Sequence, residues 1–251
     1  TNTLSALLNT KIKQIIFSLV MLLSFFSLFF TYNVALYKKK GLKFIQEDIY
    51  LIFYLLIITF GCFVLIDKNI DFSLIFLAIT SSVSNIGLSL EETPNFLSFI
   101  FLILIIIGGS FYSTSSGLRF IKIYSLFKFS VNEMISHAKP KNVFINKLPF
   151  SEKNINLGDF YKYFLTIMIF IISLSFLTSI LSISGLNIES AFKLSVLTIM
   201  NTVNSSMTGL NDLNFEDMHY ITKYSLIIFM IIGRVELLAI LIICKKFFFK
   251  N

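Results

Sequence analysis

Tryptophan is absent from the 251 residues, proline occurs 3 times, cysteine and histidine twice each, and charged residues make up only 14%. Water-soluble domains run near 25% charged, so a soluble globular chain is excluded on composition. With 10 glycines and 3 prolines, collagen-like and low-complexity disordered chains are excluded too. Cys62 and Cys244 both lie in apolar runs and form no CxxC pair, which removes metal sites and disulfide frameworks. His137 and His219 have no Ser or Cys partner at a catalytic spacing, and no phosphate-binding glycine loop appears. Nothing in the chain supports an enzyme.

What is present is apolar: 56% hydrophobic residues and a mean hydropathy of +0.83. Residues 14–36 contain no Asp, Glu, Lys or Arg. As a helix they cover about 34 Å, enough for a hydrocarbon core of about 30 Å. The sequence predicts an all-α, polytopic membrane protein. The opening TNTLSALLNTKIKQ shows no cleavage site of the A-x-A kind, so it reads as part of something longer rather than as a signal peptide.

Five stretches can span: 14–37, 49–66, 94–125 (interrupted), 159–184 and 221–244. Between them lie two apolar segments, 71–83 and 188–203, whose length favours re-entrant helices. Each runs into a polar, glycine-bearing loop, Ser84–Glu92 and Asn204–Asn214. The order span, short helix, polar loop, span therefore occurs twice. The loops align as Val83-Ser84-Asn85-Ile86-Gly87-Leu88 against the stretch from Val203, with two extra residues if the Gly-Leu pairs are matched. This divides the chain into 1–48 (a helix of a preceding repeat and a linker), 49–128 (a repeat), 129–158 (a linker) and 159–251 (a repeat).

Lys/Arg placement sets orientation. The loop 38–48, the stretch 119–162 and the end from Lys245 carry 15 basic residues on one side. Lys11, Lys13, Lys68, Lys193 and Lys223 make 5 on the other. The heavier side is cytoplasmic, which puts the C-terminus inside and opens both re-entrant loops outward. Tyr32, Tyr37, Tyr50 and Tyr220 are among the tyrosines at span ends, in the place of the missing Trp belt. The net charge of +7 thus reflects topology and not a nucleic-acid surface. Asp71, Glu91, Glu189, Asp212 and Glu216 are among the acids on the outer side, where they concentrate cations at a pore mouth or serve as ordinary solvated charge.

Non-helical backbone at membrane depth is tolerated only in protein or along a water-filled path, and its carbonyls can replace an alkali cation's hydration shell. Ser84, Asn85, Ile86, Gly87 and Leu88 form one candidate, with Ser81 and Ser82 as polar lining. The third span is broken by Gly108-Gly109-Ser110-Phe111-Tyr112-Ser113-Thr114-Ser115-Ser116-Gly117, which reads as an internal loop or hinge facing that path. Arg234 lies mid-segment, and Glu236 two residues on is on another helix face. An intramembrane Arg reads as functional, a barrier or counter-charge beside the path.

Together these residues resemble a family. GGSFYSTSSGLRFIKI (108–123), GRVELLAILI (233–242), NTVNSSMTGL (201–210), SSVSNIGLS (81–89) and the linker KKKGLKFIQED (38–48) resemble segments of the Trk/Ktr/HKT potassium transporters, in the same order. Members of that family fold as four helix–pore-loop–helix repeats around one pore. The resemblance implies that this chain holds the last helix of repeat two and all of repeats three and four. It further implies filter carbonyls from Ser84 to Leu88 and from Asn204, Ser205, Ser206, Met207 and Gly209. An ungapped alignment places Met207 at the family's filter glycine, and a two-residue shift places Gly209 there. By the same resemblance Ser110, Ser113, Thr114, Ser115, Ser116 and Gly117 form an intramembrane gate that Arg234 faces. Potassium is the implied substrate and no cofactor is implied. The implied partners are a cytoplasmic nucleotide-binding regulatory subunit (TrkA/KtrA-like), a second copy of the chain, and the lipid of the cytoplasmic membrane. Two other readings stand beside it: a non-conducting subunit that needs the missing repeats, or a sodium-permeable cation transporter. A secondary transporter with inverted repeats fits less well, because both loops open to one side.

Overall fold

In the computed structural model the described residues are 8, 10–28, 30, 42–65, 71–88, 95–136, 157–202, 206–210, 213, 215, 216, 218–234. They form eight α-helices in the order α1 (Lys11–Phe25), α2 (Leu42–Leu65), α3 (Phe72–Val83), α4 (Asn95–Ile106), α5 (Phe120–Ser136), α6 (Leu157–Ile183), α7 (Ile188–Ile199) and α8 (Tyr220–Arg234). A 3₁₀ turn, Ser206–Thr208, lies between α7 and α8. The described residues contain no β-strand, only an isolated bridge between Ile107 and Leu118. Among the described residues two stretches, Glu47–Leu65 and Phe160–Ile183, are long and apolar enough to cross a membrane.

Burial is inverted relative to a water-soluble fold. Phe53, Phe60, Ile172 and Phe176 point outward from α2 and α6, whereas Thr80, Ser81, Ser82 and Ser195 are fully buried. Apolar side chains face outward where the solvent is lipid, and hydroxyls turn inward where a partner exists. Ser82, Ser84, Ser195 and Thr198 each donate to the carbonyl four residues earlier, so these hydroxyls are satisfied without leaving their helix.

Among the described residues two large cores hold the helices, beside a small cluster of Leu8, Met21 and Leu77. Phe25, Leu51, Ile79, Val83, Leu97 and Phe101 belong to the first, between α1 and α4. Phe170, Leu177, Leu181, Leu194, Leu197 and Leu226 belong to the second, among α6, α7 and α8. Helix α4 serves both, since Leu102 and Ile105 pack into the second core. A crossing from the other direction closes the join: Met207, from the turn after α7, is fully buried in the first core.

The first span departs from its expected single helix over 14–37. Helix α1 stops at Phe25, and Phe26 is extended at φ −76°, ψ 163°. The cause lies in Asp48, whose carboxylate accepts from the Ser27 backbone N–H at 2.9 Å and from its hydroxyl at 2.6 Å. Ser27 N–H is thereby withdrawn from the helix ladder. The remaining residues of that span, 31–37, lie outside the described ones, as do the linker cores 38–41 and 137–156 and the end from 235.

Candidate functional site

The two short helices end alike. Each is entered by an uncapped extended residue, Asp71 or Asn187, and left by a residue in the right-handed region, Ser84 or Met200. The next residue is left-handed in both: Asn85 at φ 60° and Asn201 at φ 54°. The next amide then turns back to the helix, Ile86 N–H to the Ser81 carbonyl and Thr202 N–H to that of Leu197, both a Schellman-type closure. The offset between equivalent residues is 116, four less than in the Val83–Val203 alignment. At this offset position 203, which lies outside the described residues, matches Gly87.

After α3 the backbone is arranged in one sense. The amides of Asn85, Ile86 and Gly87 reach the carbonyls of Ser82 and Ser81 at 3.0–3.4 Å, and that of Leu88 reaches Ser81 Oγ. In a trans peptide the C=O lies opposite the following N–H. Four successive amides turned back toward α3 therefore turn the carbonyls of Ser84, Asn85, Ile86 and Gly87 away from it. Gly87 has φ 77°, where a Cβ is unfavourable, and Asn85 is buried with both amide atoms lacking a hydrogen-bond partner. Such a row of outward carbonyls is able to coordinate a cation.

The residues expected after α7 are only partly placed. Asn204 and Ser205 lie outside the described residues, and of Ser206 only the backbone is described. Gly209 is exposed with φ 67°. Met207 inserts its side chain into the first core, where Ser82 Oγ meets its Sδ at 3.7 Å, and Ser98 Oγ donates to the Thr208 carbonyl. A cleft of about 450 Å³ lies beside this loop, lined by Thr198, Asn201, Thr202, Phe215 and Met230. In the first turns of α7, Lys193 pairs with Glu189 at 2.6 Å, and the ammonium holds the Glu189 carboxyl below its usual range.

The interruption of the third span is present and compact. After Ile106 the chain leaves the helix, and Gly108 N–H returns to the Leu118 carbonyl at 2.8 Å, closing a loop of residues 107–118. This loop docks on the broken end of α1: Ser110 N–H donates to the Phe25 carbonyl, and the amides of Thr114 and Ser115 share that of Ser24, all at 3.1 Å. The approach needs Gly109, because a Cβ there would collide with the Phe25 carbonyl and lie 2.7 and 2.8 Å from the hydroxyls of Ser115 and Ser113. Ser110, Ser113 and Ser115 are buried, Thr114 is exposed, and Ser116 and Gly117 are half-buried. Arg234 ends α8, but its side chain lies outside the described residues.

Three side chains at the loop are absent from the candidates read in sequence. Glu47 accepts from Ser110 Oγ at 3.2 Å and from Phe111 N–H at 3.1 Å. Arg119 Nη1 donates to the carbonyls of Ser110, Ser113 and Ser115 and to Ser113 Oγ, at 2.9–3.3 Å. Asp48 holds Ser27, as described. In sequence, Glu47 and Asp48 close a lysine-rich linker and Arg119 counts among the topological charges. The usable signal was two adjacent acids opening an apolar run, since a carboxylate there must find a buried donor. Behind the loop, Gly117, Arg119, Lys122, Thr166 and Met200 line a cavity of about 50 Å³. Among the described residues no group of three or more His, Cys, Asp or Glu side chains is placed to hold a metal ion.

The chain matches no protein-family model. It is 30% identical over 170 residues to the Trk system potassium uptake protein TrkH of Escherichia coli strain K12, covering 65% of this chain and 33% of that protein. The Salmonella typhimurium TrkH matches with the same identity and coverage. Its fold matches the crystal structure of the potassium transporter TrkH from Vibrio parahaemolyticus with a TM-score of 0.79 at 20% identity, over 93% of this chain and 52% of that one. The chain thus spans about a third of the curated relatives it matches. On sequence and fold together, the chain resembles the TrkH potassium transporters and shares their all-α, polytopic membrane fold.

Proposed function

We propose that the chain supplies the third and fourth helix–pore-loop–helix repeats of a Trk-type potassium uptake protein of the cytoplasmic membrane. The observation that carries this reading is the row of carbonyls from Ser84 to Gly87 turned away from α3 by four returning amides. Dehydrated potassium takes such carbonyl oxygens in place of water. Asn204–Gly209 would complete the filter from the second loop. Loop 107–118 would lie across the path as a gate, with Arg234 beside it. The C-terminus is read as cytoplasmic, where a nucleotide-binding regulatory subunit would act on a dimer.

The limited share of its relatives that the chain spans favours one further reading, a subunit that conducts only when the other two repeats are supplied. Rubidium uptake by a host deficient in potassium uptake tests both. Uptake by this chain alone supports a self-sufficient transporter. Uptake only with the upstream half co-expressed supports the subunit. No uptake in either arm, with both halves in the membrane, overturns the potassium reading.

A further inference from the structure

The loop is held by side-chain hydrogen bonds from two opposite sides, and the two holds meet on one residue. From α2, Glu47 takes the donors of the loop's first turn, the hydroxyl of Ser110 and the N–H of Phe111. From the foot of α5, Arg119 takes the acceptors, the carbonyls of Ser110, Ser113 and Ser115. Ser110 is fully buried and bound to both, its hydroxyl to the acid and its carbonyl to the guanidinium. Its own N–H goes to a third element, the Phe25 carbonyl of α1. The N–H, hydroxyl and carbonyl of Ser110 are thus taken by α1, by α2 and by Arg119 at the entry to α5, the carbonyl also accepting from Ser113 N–H within the loop.

A single Nη1 has two N–H groups, so spreading over four acceptors makes Arg119 a fork that gathers a curled segment rather than a partner to one atom. Irregular backbone at this depth persists only while its polar groups are satisfied. Removing either side chain leaves buried loop groups short of partners and makes the undocked loop the better alternative. Glu47 is also joined in sequence to Asp48, which holds Ser27 and hence the α1 end whose carbonyls receive the loop's amides. A shift of the second turn of α2, which carries Glu47 and Asp48, would therefore move both supports of the loop together.

We propose that Glu47 and Arg119 form an opposed pair of positioning residues that clamps loop 107–118 in its docked state, with Ser110 as the shared pivot. The clamp rests on the reading of this loop as a gate only for its effect on flux. Its structural part is tested by amide hydrogen exchange on the purified chain in lipid nanodiscs, read on peptides covering 108–118 and 72–83. Glu47→Ala and Arg119→Ala should each speed exchange of the loop peptide by about tenfold or more while the α3 peptide keeps its rate, the pattern of local opening. Glu47→Gln fills the same volume and keeps one acceptor for Phe111 N–H, so a smaller rise is expected. A merely space-filling role predicts no rise with Gln, and that result overturns the clamp. Unchanged loop exchange in both Ala variants overturns it as well, as does an equal rise in both peptides. In the assembled transporter the same Ala variants should raise rubidium flux. Faster loop exchange with unaltered flux would leave the clamp standing and overturn the gate reading instead.

Discussion

Gly87 combines a left-handed backbone with a place in the row of outward carbonyls, so its missing side chain and its proposed part in a filter are linked. A non-glycine residue in this region costs roughly 1–2 kcal/mol, which is enough to reshape a short loop without unfolding helices held by two cores. Gly87→Ser should therefore lower the preference for potassium over sodium in the assembled transporter while membrane abundance stays at the parent level. Paired rubidium and sodium uptake measures the first, and a quantitative blot of membranes the second. Gly109 behaves differently, because its constraint is contact. A methyl group there meets the Phe25 carbonyl and two serine hydroxyls, and overpacking of this kind costs about 1–3 kcal/mol. Gly109→Ala should lower the thermal midpoint of the detergent-solubilised chain by several degrees, measured by unfolding of the purified protein.

At the scale of elements, length and composition carried far. Two apolar segments too short to span emerged as α3 and α7, and the glycine–serine run of the third span emerged as a loop between α4 and α5. Both follow from local rules, since helix length and breaker residues are written where they act. The break in α1 is not written there. Ser27 sits in an uninterrupted apolar run, and only Asp48, 21 residues on, diverts its N–H. The seat of Met207 is likewise a long-range fact, unreadable from a loop whose neighbours are polar. The true offset of 116 between the short helices was hidden because the Gly-Leu pairs offered a stronger visual match than the two asparagines. Met207 gives a prediction for the join between the units. Truncation of a fully buried Met costs about 2–5 kcal/mol, so Met207→Ala should weaken the seating of the 3₁₀ turn on α4. A disulfide between Ser98→Cys and Thr208→Cys, at residues now linked from the Ser98 hydroxyl to the Thr208 backbone carbonyl, should form more slowly in the Ala variant than in the parent, as read by gel mobility under mild oxidation.

For the whole molecule, the outward apolar side chains put lipid around the flanks, and the basic asymmetry is the ground for the proposal that the lysine-rich face meets the cytoplasm. A cysteine at position 142 should be labelled by an impermeant thiol reagent only from the cytoplasmic side, and one at position 214 only from outside. Labelling of both from one side would overturn this assignment.

The crossing made by Met207 also sets an order of events during synthesis. The helices that enclose its seat are complete once Ile106 has been made, yet the side chain that fills it is about 100 residues away along the chain. At roughly 5–20 residues per second the nascent protein spends about 5–20 s with that seat open. Throughout that interval the first unit sits in the bilayer with a vacant apolar slot, and whatever insertion factor or lipid tail lies beside the ribosome's exit is in a position to occupy it.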